Sequence, residues 1–347
     1  MSIQHFDLSI SVSENTPLNS YQWNELAAAN GNIWQTTFYD EVQKIFNNYP
    51  FYFQCFSGDK LIGGIKIYRY ESKKLPPFIR SISTRATQGS ELLIDDDYKT
   101  NFEKIKTLLL SEIKKWFRQM HITSFYNYSF YGEIEKLFSF SEFNKVWESK
   151  IGIAKIDLTK STDVLWKAMS PKHRSEVIKA EKNSVSIDFA DDIESFLLLM
   201  DETYKNQSGH VPNKNFIRKE YEILKSNNAA QLVFSKHNGK YLCGALLYNC
   251  GKNSLYNFGG TVKNSIGAGQ FLHWEIMKHL KAEGFKNYFL GETSFEKTEA
   301  NLKFTEGITK FKLRFGAEQL PAQHTGFALH PMKLKTWNLL KKIFIRS

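Results

Sequence analysis

The sequence predicts an α/β protein of two domains in tandem, and three observations carry that expectation. At 347 residues the chain is long for a single compact core and suits two domains. Residues 231–316 read as strand, strand, strand, glycine turn, helix, strand, then a basic aromatic segment. The first half echoes that order. Lys60-Leu61-Ile62-Gly63-Gly64-Ile65 parallels Lys240-Tyr241-Leu242-Cys243-Gly244-Ala245, each after a short strand and a turn, which points to an ancient duplication. A boundary near residues 148–155 gives domains 1–150 and 151–347, with the C-terminal helix, 331–347, free to pack back on the first domain.

In the first domain the spacing predicts helices over 23–29 and 37–47, the latter with Phe38, Val42 and Phe46 four apart. Strands 51–56 and 61–68 flank a turn at Gly58-Asp59, Pro76-Pro77 breaks the chain before an apolar segment at 78–82, and residues 88–90 turn again. A long helix over 101–120 carries Ile105, Leu108, Leu109, Ile113 and Phe117 on one side, and a strand over 122–128 follows.

The second domain opens with a strand at 154–158 and a helix at 161–169. Ser170-Pro171 restarts the helix as cap and first residue, over 172–182, with Asn183 suited to its end. A strand over 185–189, a helix over 192–204, a polar loop over 207–213 holding His210, and a helix over 216–224 come next. Asn238-Gly239 turns a hairpin between strands 231–235 and 241–248, and a third strand occupies 254–258. Gly267 and Gly269 then open a helix with Leu272, Ile276 and Leu280 on one face, which Gly284 closes before a strand at 288–290. Residues 295–305 read as irregular, and 309–315 as a strand in which Lys310, Lys312 and Arg314 alternate with Phe311, Leu313 and Phe315. A last helix over 332–344 has an apolar stripe (Leu334, Trp337, Leu340, Ile343, Phe344) among Lys333, Lys335, Lys341, Lys342 and Arg346, with no acid.

Lysine and arginine exceed the acids by ten and the pI is about 9.2, which favours a polyanionic partner: RNA, nucleotide phosphates or an anionic membrane surface. With 42% hydrophobic residues and 28 Phe the chain is globular rather than disordered. Cys55, Cys243 and Cys250 lie in apolar contexts without metal-ligand spacing, so buried thiols and no metal are expected. No signal-peptide pattern and no span-length apolar run is visible, and the expectation is a cytoplasmic protein. Where a strand ends in a glycine turn at a helix N-terminus, orphan N–H groups and the helix dipole both favour an anion. Asn264, Gly267, Ala268 and Gly269 form such a turn.

Short motifs carry a resemblance to the FemAB-type transferases. Leu165-Trp166, Arg174, Val177-Ile178-Lys179-Ala180 and Val185 resemble that family's "L-W … R … I-R-K-A … G-V" segment. Gly307-Ile308, Phe311-Lys312 and Phe315-Gly316 resemble its closing "G-I … F-K … F-G", and Trp23 with Trp34-Gln35-Thr36 is similar to its opening. The resemblance implies two tandem GNAT-like (acyl-CoA N-acyltransferase-like) domains, each with a mixed sheet splayed at its centre. It also implies transfer of an acyl group to an amine, often on a cell-wall precursor. Some members draw the group from aminoacyl-tRNA to build peptidoglycan bridges, and related double-GNAT proteins draw it from acyl-CoA.

Two departures tilt the expected donor toward acyl-CoA over aminoacyl-tRNA. The strand after the central helix reads Tyr288-Phe289-Leu290-Gly291-Glu292, with Phe289 where the family commonly has aspartate, and no paired-helix arm is visible. In addition, Asn264-x-x-Gly267-x-Gly269 resembles the pyrophosphate loop of GNAT acetyltransferases. Glu292 is the expected acceptor of the amine's proton, Tyr256 an acid toward the leaving group, and Lys312 a donor contact or stabiliser of negative charge, the last by resemblance. Arg174 and Lys179, by resemblance, face a phosphate of the acceptor, and His210 and Phe311 complete the expected substrate contacts. The expected acceptor is a small or lipid-linked glycan with an amine. The partners that charge allows are tRNA and the inner face of the membrane. A non-catalytic RNA- or membrane-binding protein that kept the fold is the remaining alternative.

Overall fold

The computed structural model describes residues 7–70, 75–88, 92–128, 143–205, 212–263, 265–294 and 302–344. In chain order the first ten principal elements are β1 (Leu8–Glu14), α1 (Ser20–Asn30), α2 (Tyr39–Lys44), β2 (Asn48–Ser57), β3 (Lys60–Tyr70), α3 (Pro77–Ser83), β4 (Arg85–Gln88), β5 (Leu93–Ile94), α4 (Phe102–Gln119) and β6 (Ser124–Asn127). There follow β7 (Asn144–Asp157), α5 (Thr162–Ala168), α6 (Pro171–Lys182), β8 (Ser186–Asp188), α7 (Ile193–Lys205), α8 (Lys214–Ser226), β9 (Ala230–His237), β10 (Lys240–Cys250) and β11 (Asn253–Thr261). The chain closes with α9 (Ala268–Ala282), β12 (Asn287–Ser294), α10 (Leu302–Leu313), β13 (Glu318–Ala328) and α11 (Pro331–Phe344). Two compact units result, one of residues 1–150 with 322–347, the other of residues 151–321.

In the first unit the strands lie in the order β1-β2-β3-β4-β6-β13, antiparallel except for the parallel pair β4–β6. Helix α4 makes the crossover between those parallel strands, because parallel neighbours need a connection that spans the sheet. Its Ile105, Leu109, Ile113, Trp116 and Phe117 recur at helical spacing and are all buried, each contributing about 1.5–3 kcal/mol. The parallel pair stays zipped over the whole of β4, from Arg85↔Ser124 to Gln88↔Asn127, and one further bond runs from Tyr128 N–H to the Gln88 carbonyl. Under this sheet lies a buried ion pair. Lys66 Nζ on β3 donates to Asp40 Oδ1 of α2 at 2.7 Å and to the Thr36 carbonyl at 2.7 Å. The Tyr68 hydroxyl also donates to Asp40 Oδ1, and the Tyr52 hydroxyl to Oδ2.

In the second unit the order is β7-β12-β11-β10-β9-β8, again with a single parallel pair, β11–β12, joined by α9. The hairpin, third strand, helix and parallel strand of the first unit thus recur here as β9, β10, β11, α9 and β12. Helix α9 begins at Gly267, whose φ of +78° suits glycine, and a Cβ there would sit 2.1 Å from the Glu176 carbonyl oxygen of α6. It ends at Gly284 (φ +81°), where the N–H of Phe285 reaches back to the Leu280 carbonyl.

Two sequence expectations need correction. The strand over 309–315 is the end of a helix, α10, which begins at Leu302 inside the segment read as irregular. Alternation of charge and hydrophobe over seven residues mimicked a strand, but Phe304, Ile308, Phe311 and Phe315 recur at intervals of four, three and four, a helical stripe. Strand β13 lies in residues that gave no strand signal, and residues 322–347 group with the first unit.

Replacing Lys66 with Met leaves the Asp40 carboxylate buried without its cation. The expected loss is about 3–5 kcal/mol, read as a lower urea midpoint of the first unit's transition. A loss under about 1 kcal/mol would mean that the two phenols satisfy Asp40 unaided.

Candidate active site

Strand pairing in the second unit creates an opening. Strands β10 and β11 pair along their length, with a bulge between Leu246 and Leu247 opposite Phe258 and Tyr256. Strand β12 pairs with β11 only at Asn253↔Asn287, Ser254↔Tyr288 and Leu255↔Phe289. Strand β11 continues to Thr261, while β12 follows β7 through a bulge between Phe289 and Gly291, where Gly291 has φ +80°. Among the described residues no strand pairs with the β12 side of β11 from Tyr256 onward. Alternate backbone groups of that edge face the fork and lack a ladder partner.

A cleft of about 570 Å³ lies along this edge. Tyr256, Gly259 and Gly260 of β11 line it, as do Cys243 of β10, Gly267, Gly269 and His273 at the start of α9, Glu176 and Lys179 of α6, and Phe311 of α10. Glycine is dictated along the edge. A Cβ at Gly259 would lie 1.6 Å from the Tyr256 hydroxyl, and one at Gly260 would lie 2.6 Å from the Met200 backbone nitrogen. The first hydrogen bond within α9 runs from Phe271 N–H to the Gly267 carbonyl at 3.0 Å, so the N–H groups of residues 268–270 have no partner inside the helix. Gly269 has room for a side chain, its nearest neighbour being Cys243 Sγ at 3.9 Å from an ideal Cβ.

Glu292 and Lys312, distant in sequence, meet at the outer arm of the fork. Lys312 Nζ donates to the Glu292 main-chain carbonyl at 2.8 Å, and the Glu292 side chain is exposed. A Cβ on Gly291 would lie 3.5 Å from Lys312 Nζ and 3.7 Å from the Tyr256 carbonyl oxygen, so all three groups gather around that glycine. Burial lowers the Lys312 ammonium to about 8, with Glu292 pulling the other way. Burial also raises the Tyr256 phenol well above its ordinary range, helped by Cys243 and Tyr204, so it holds its proton.

Sequence reading missed two histidines. His273, on the second turn of α9, is buried, with Nδ1 2.9 Å from the Tyr288 hydroxyl and its ring edge-to-face with Tyr256. It therefore touches both strands of the fork at the point where they part. Burial, then His173 and Lys312, pushes it down to about 3, and it stays neutral at ordinary pH. His173, also buried and lowered chiefly by burial, has Nε2 3.1 Å from the Phe311 carbonyl, an acceptor that fixes the proton on that nitrogen. Rings of Phe311 and Phe315 touch both imidazoles. The available sequence signal was a polar residue within the apolar side of α9, four residues after Gly269.

Of the expected site residues, Tyr256, Gly267, Gly269, Lys179 and Phe311 line the cleft, and Ala268 sits between the two glycines. Arg174 is not among the lining residues. Its Nη1 donates to the Lys167 carbonyl at 3.1 Å and to that of Met169, tying down the end of α5. Asn264 and His210 lie outside the described residues. Among the described residues no cluster of three metal-ligating side chains forms, and no helix is long and apolar enough to cross a membrane.

A forked parallel pair beside a glycine-opened helix, set in a chain that repeats its strand order, defines a tandem GNAT fold. Residues 171–297 match the family described as "Acetyltransferase (GNAT) domain". No curated protein sequence matches the chain. Among solved structures the chain is similar to FemX, at TM-score 0.76 and 14% identity, over 96% of this chain and 99% of that one. It is also similar to L-PGS from Bacillus licheniformis (TM-score 0.54, 12% identity, 96% and 98% covered). A tandem GNAT protein from the clavulanic acid biosynthesis pathway matches at TM-score 0.52 and 10% identity, with 92% and 98% covered. At such identities the likeness establishes the fold, and the expected architecture of two tandem GNAT-like domains is the one observed.

The sign of an acid effect follows from His273. The unfolded side chain takes up a proton near pH 6.5, and the folded one only near 3. Stability is therefore full above 6.5 and falls as pH drops toward 3, by about 1.4 kcal/mol per pH unit from this group. Urea midpoints at successive pH values measure it, and His273→Gln is expected to flatten the slope. An unchanged slope in that variant would contradict the assignment.

Proposed function

We propose that this protein is an N-acyltransferase that moves an acyl group from acyl-CoA to an amine of a cell-envelope precursor such as an amino sugar. The observation that carries the reading is the unpaired edge of β11 opening beside the N-terminus of α9. The match of residues 171–297 to an acyltransferase domain supports it. So does the contrast with the first unit, whose parallel pair stays closed over β4.

In this reading the donor's pyrophosphate rests on the N–H groups of residues 268–270 at the start of α9. Its thioester carbonyl lies along the open edge of β11, where backbone N–H groups polarise it. The amine nitrogen attacks the carbonyl carbon, the new C–N bond forms, and the C–S bond breaks. Glu292, exposed beside the fork, takes the amine's proton through water. Tyr256, kept protonated by burial, supplies a proton to the departing thiolate. The Lys312 ammonium stabilises the charge that develops on oxygen, while Lys179 at the mouth of the cleft contributes attraction for phosphate.

The likeness to FemX over nearly the whole chain favours a second reading, in which the same fork receives the ester of an aminoacyl-tRNA to extend a peptidoglycan bridge. Attack on that ester has the same balance, with a ribose oxygen leaving in place of sulfur.

Thermal melts with each donor separate the readings. Acyl-CoA at a hundred times its Kd is expected to stabilise the chain by about 2.7 kcal/mol. Gly269→Asp, which places a carboxylate where the pyrophosphate would rest, is expected to weaken binding at least roughly tenfold without unfolding the chain. Stabilisation and turnover by aminoacyl-tRNA alone would favour the second reading, and turnover of neither donor would leave a non-catalytic binding protein. The role of Lys312 has its own test. Turnover is expected to decline as pH rises through about 8, and Lys312→Arg to remove that decline by staying charged. Turnover that instead rises through pH 8, and loses this rise in the arginine variant, would make Lys312 a base.

A further inference from the structure

Helix α11 presents two stripes. Leu334 and Trp337 face inward, Leu334 buried and Trp337 half-buried, and the helix packs on α3. Met332, Lys335 and Leu339, at i, i+3 and i+7, form the opposite stripe. Met332 is 85% exposed and Leu339 56% exposed, so this stripe carries two large apolar side chains into solvent. Val146, on the first residues of β7, is 50% exposed and lines a groove of about 350 Å³ with Leu334, Lys335 and Leu339. Residues 322–347 contain five Lys and Arg and no Asp or Glu. Lys335 and Lys341 are exposed, and Lys333 is partly so.

We propose that this face of the first unit docks on an anionic phospholipid bilayer. Outward methionine, leucine and valine beside lysines match the two parts of such a surface, acyl chains below and phosphates above. Charge selects the partner among alternatives. A second copy of this chain would bring the same all-cationic helix against itself, which repels. A nucleic acid would meet the lysines but gain nothing from Met332, Leu339 or Val146. The inference rests on this surface alone and not on the acyl-transfer reading.

Co-sedimentation of the full chain with phosphatidylcholine vesicles, with and without phosphatidylglycerol, tests it. Binding is expected only when phosphatidylglycerol is present, and it is expected to weaken as salt rises. Lys335→Glu is expected to reduce partitioning roughly tenfold. The paired change Met332→Glu with Leu339→Glu is expected to reduce it by a similar factor or more, roughly tenfold. Both sites are exposed, so thermal melts of these variants should match the parent. Lys240→Glu, an equal change of charge on the β9–β10 hairpin, is the control and should bind nearly as the parent does. Three results would overturn the proposal. They are no binding to anionic vesicles at low salt, equal losses from Lys335→Glu and Lys240→Glu, or a Met332-dependent dimer or RNA complex in place of vesicle binding.

Discussion

The second unit depends on strands β11 and β12 pairing for three residues and no further. A strand edge inside a protein leaves backbone donors and acceptors that cost free energy unless something completes them. The sheet tolerates this edge because its other side is fully laddered to β10 and because a cleft admits solvent or a ligand to it. The surrounding features hold the fork apart. Gly291, in a left-handed conformation, lies at the bulge beyond which β12 stays paired with β7 and no longer with β11, and Lys312 donates to the carbonyl of the next residue. His273 reaches one strand by a hydrogen bond and the other by an aromatic edge.

Electrostatics in the cleft follow from the same geometry. The helix start offers N–H groups and no side chain at Gly267 or Gly269, so an anion can approach the backbone directly. Behind it, burial keeps both imidazoles neutral and the Tyr256 phenol protonated. At the outer arm of the fork, burial draws the Lys312 ammonium downward while the neighbouring Glu292 carboxylate opposes it. A low-dielectric pocket with few fixed charges makes each remaining dipole count for more during a reaction that builds charge on oxygen.

Much of this could be read from the residues, and the failures have physical causes. Helices α4 and α9 declared themselves through apolar spacing, α9 also through its terminal glycines, and the β9–β10 hairpin through Asn238-Gly239. Glu292 was singled out by its place at the end of a strand and Lys312 by resemblance, but their meeting needed the fold, since they lie 20 positions apart on different elements. Helix α10 was hidden because a seven-residue window fits both periods. His273 was hidden because a histidine on an apolar helix face is more often packing, and only the third dimension reveals Tyr256 and Tyr288 on either side. Arg174, expected by resemblance to face a phosphate, has its Nη1 engaged by two carbonyls at the end of α5, a local role that the sequence did not reveal.

Residue-resolved amide hydrogen exchange of the second unit, with and without coenzyme A, tests the fork most directly. Alternate amides within residues 256–260 are expected to exchange rapidly in the free protein and to become protected when coenzyme A is added. Amides there that are all already as protected as those of Leu246 and Leu247, or that ignore the ligand, would contradict the account.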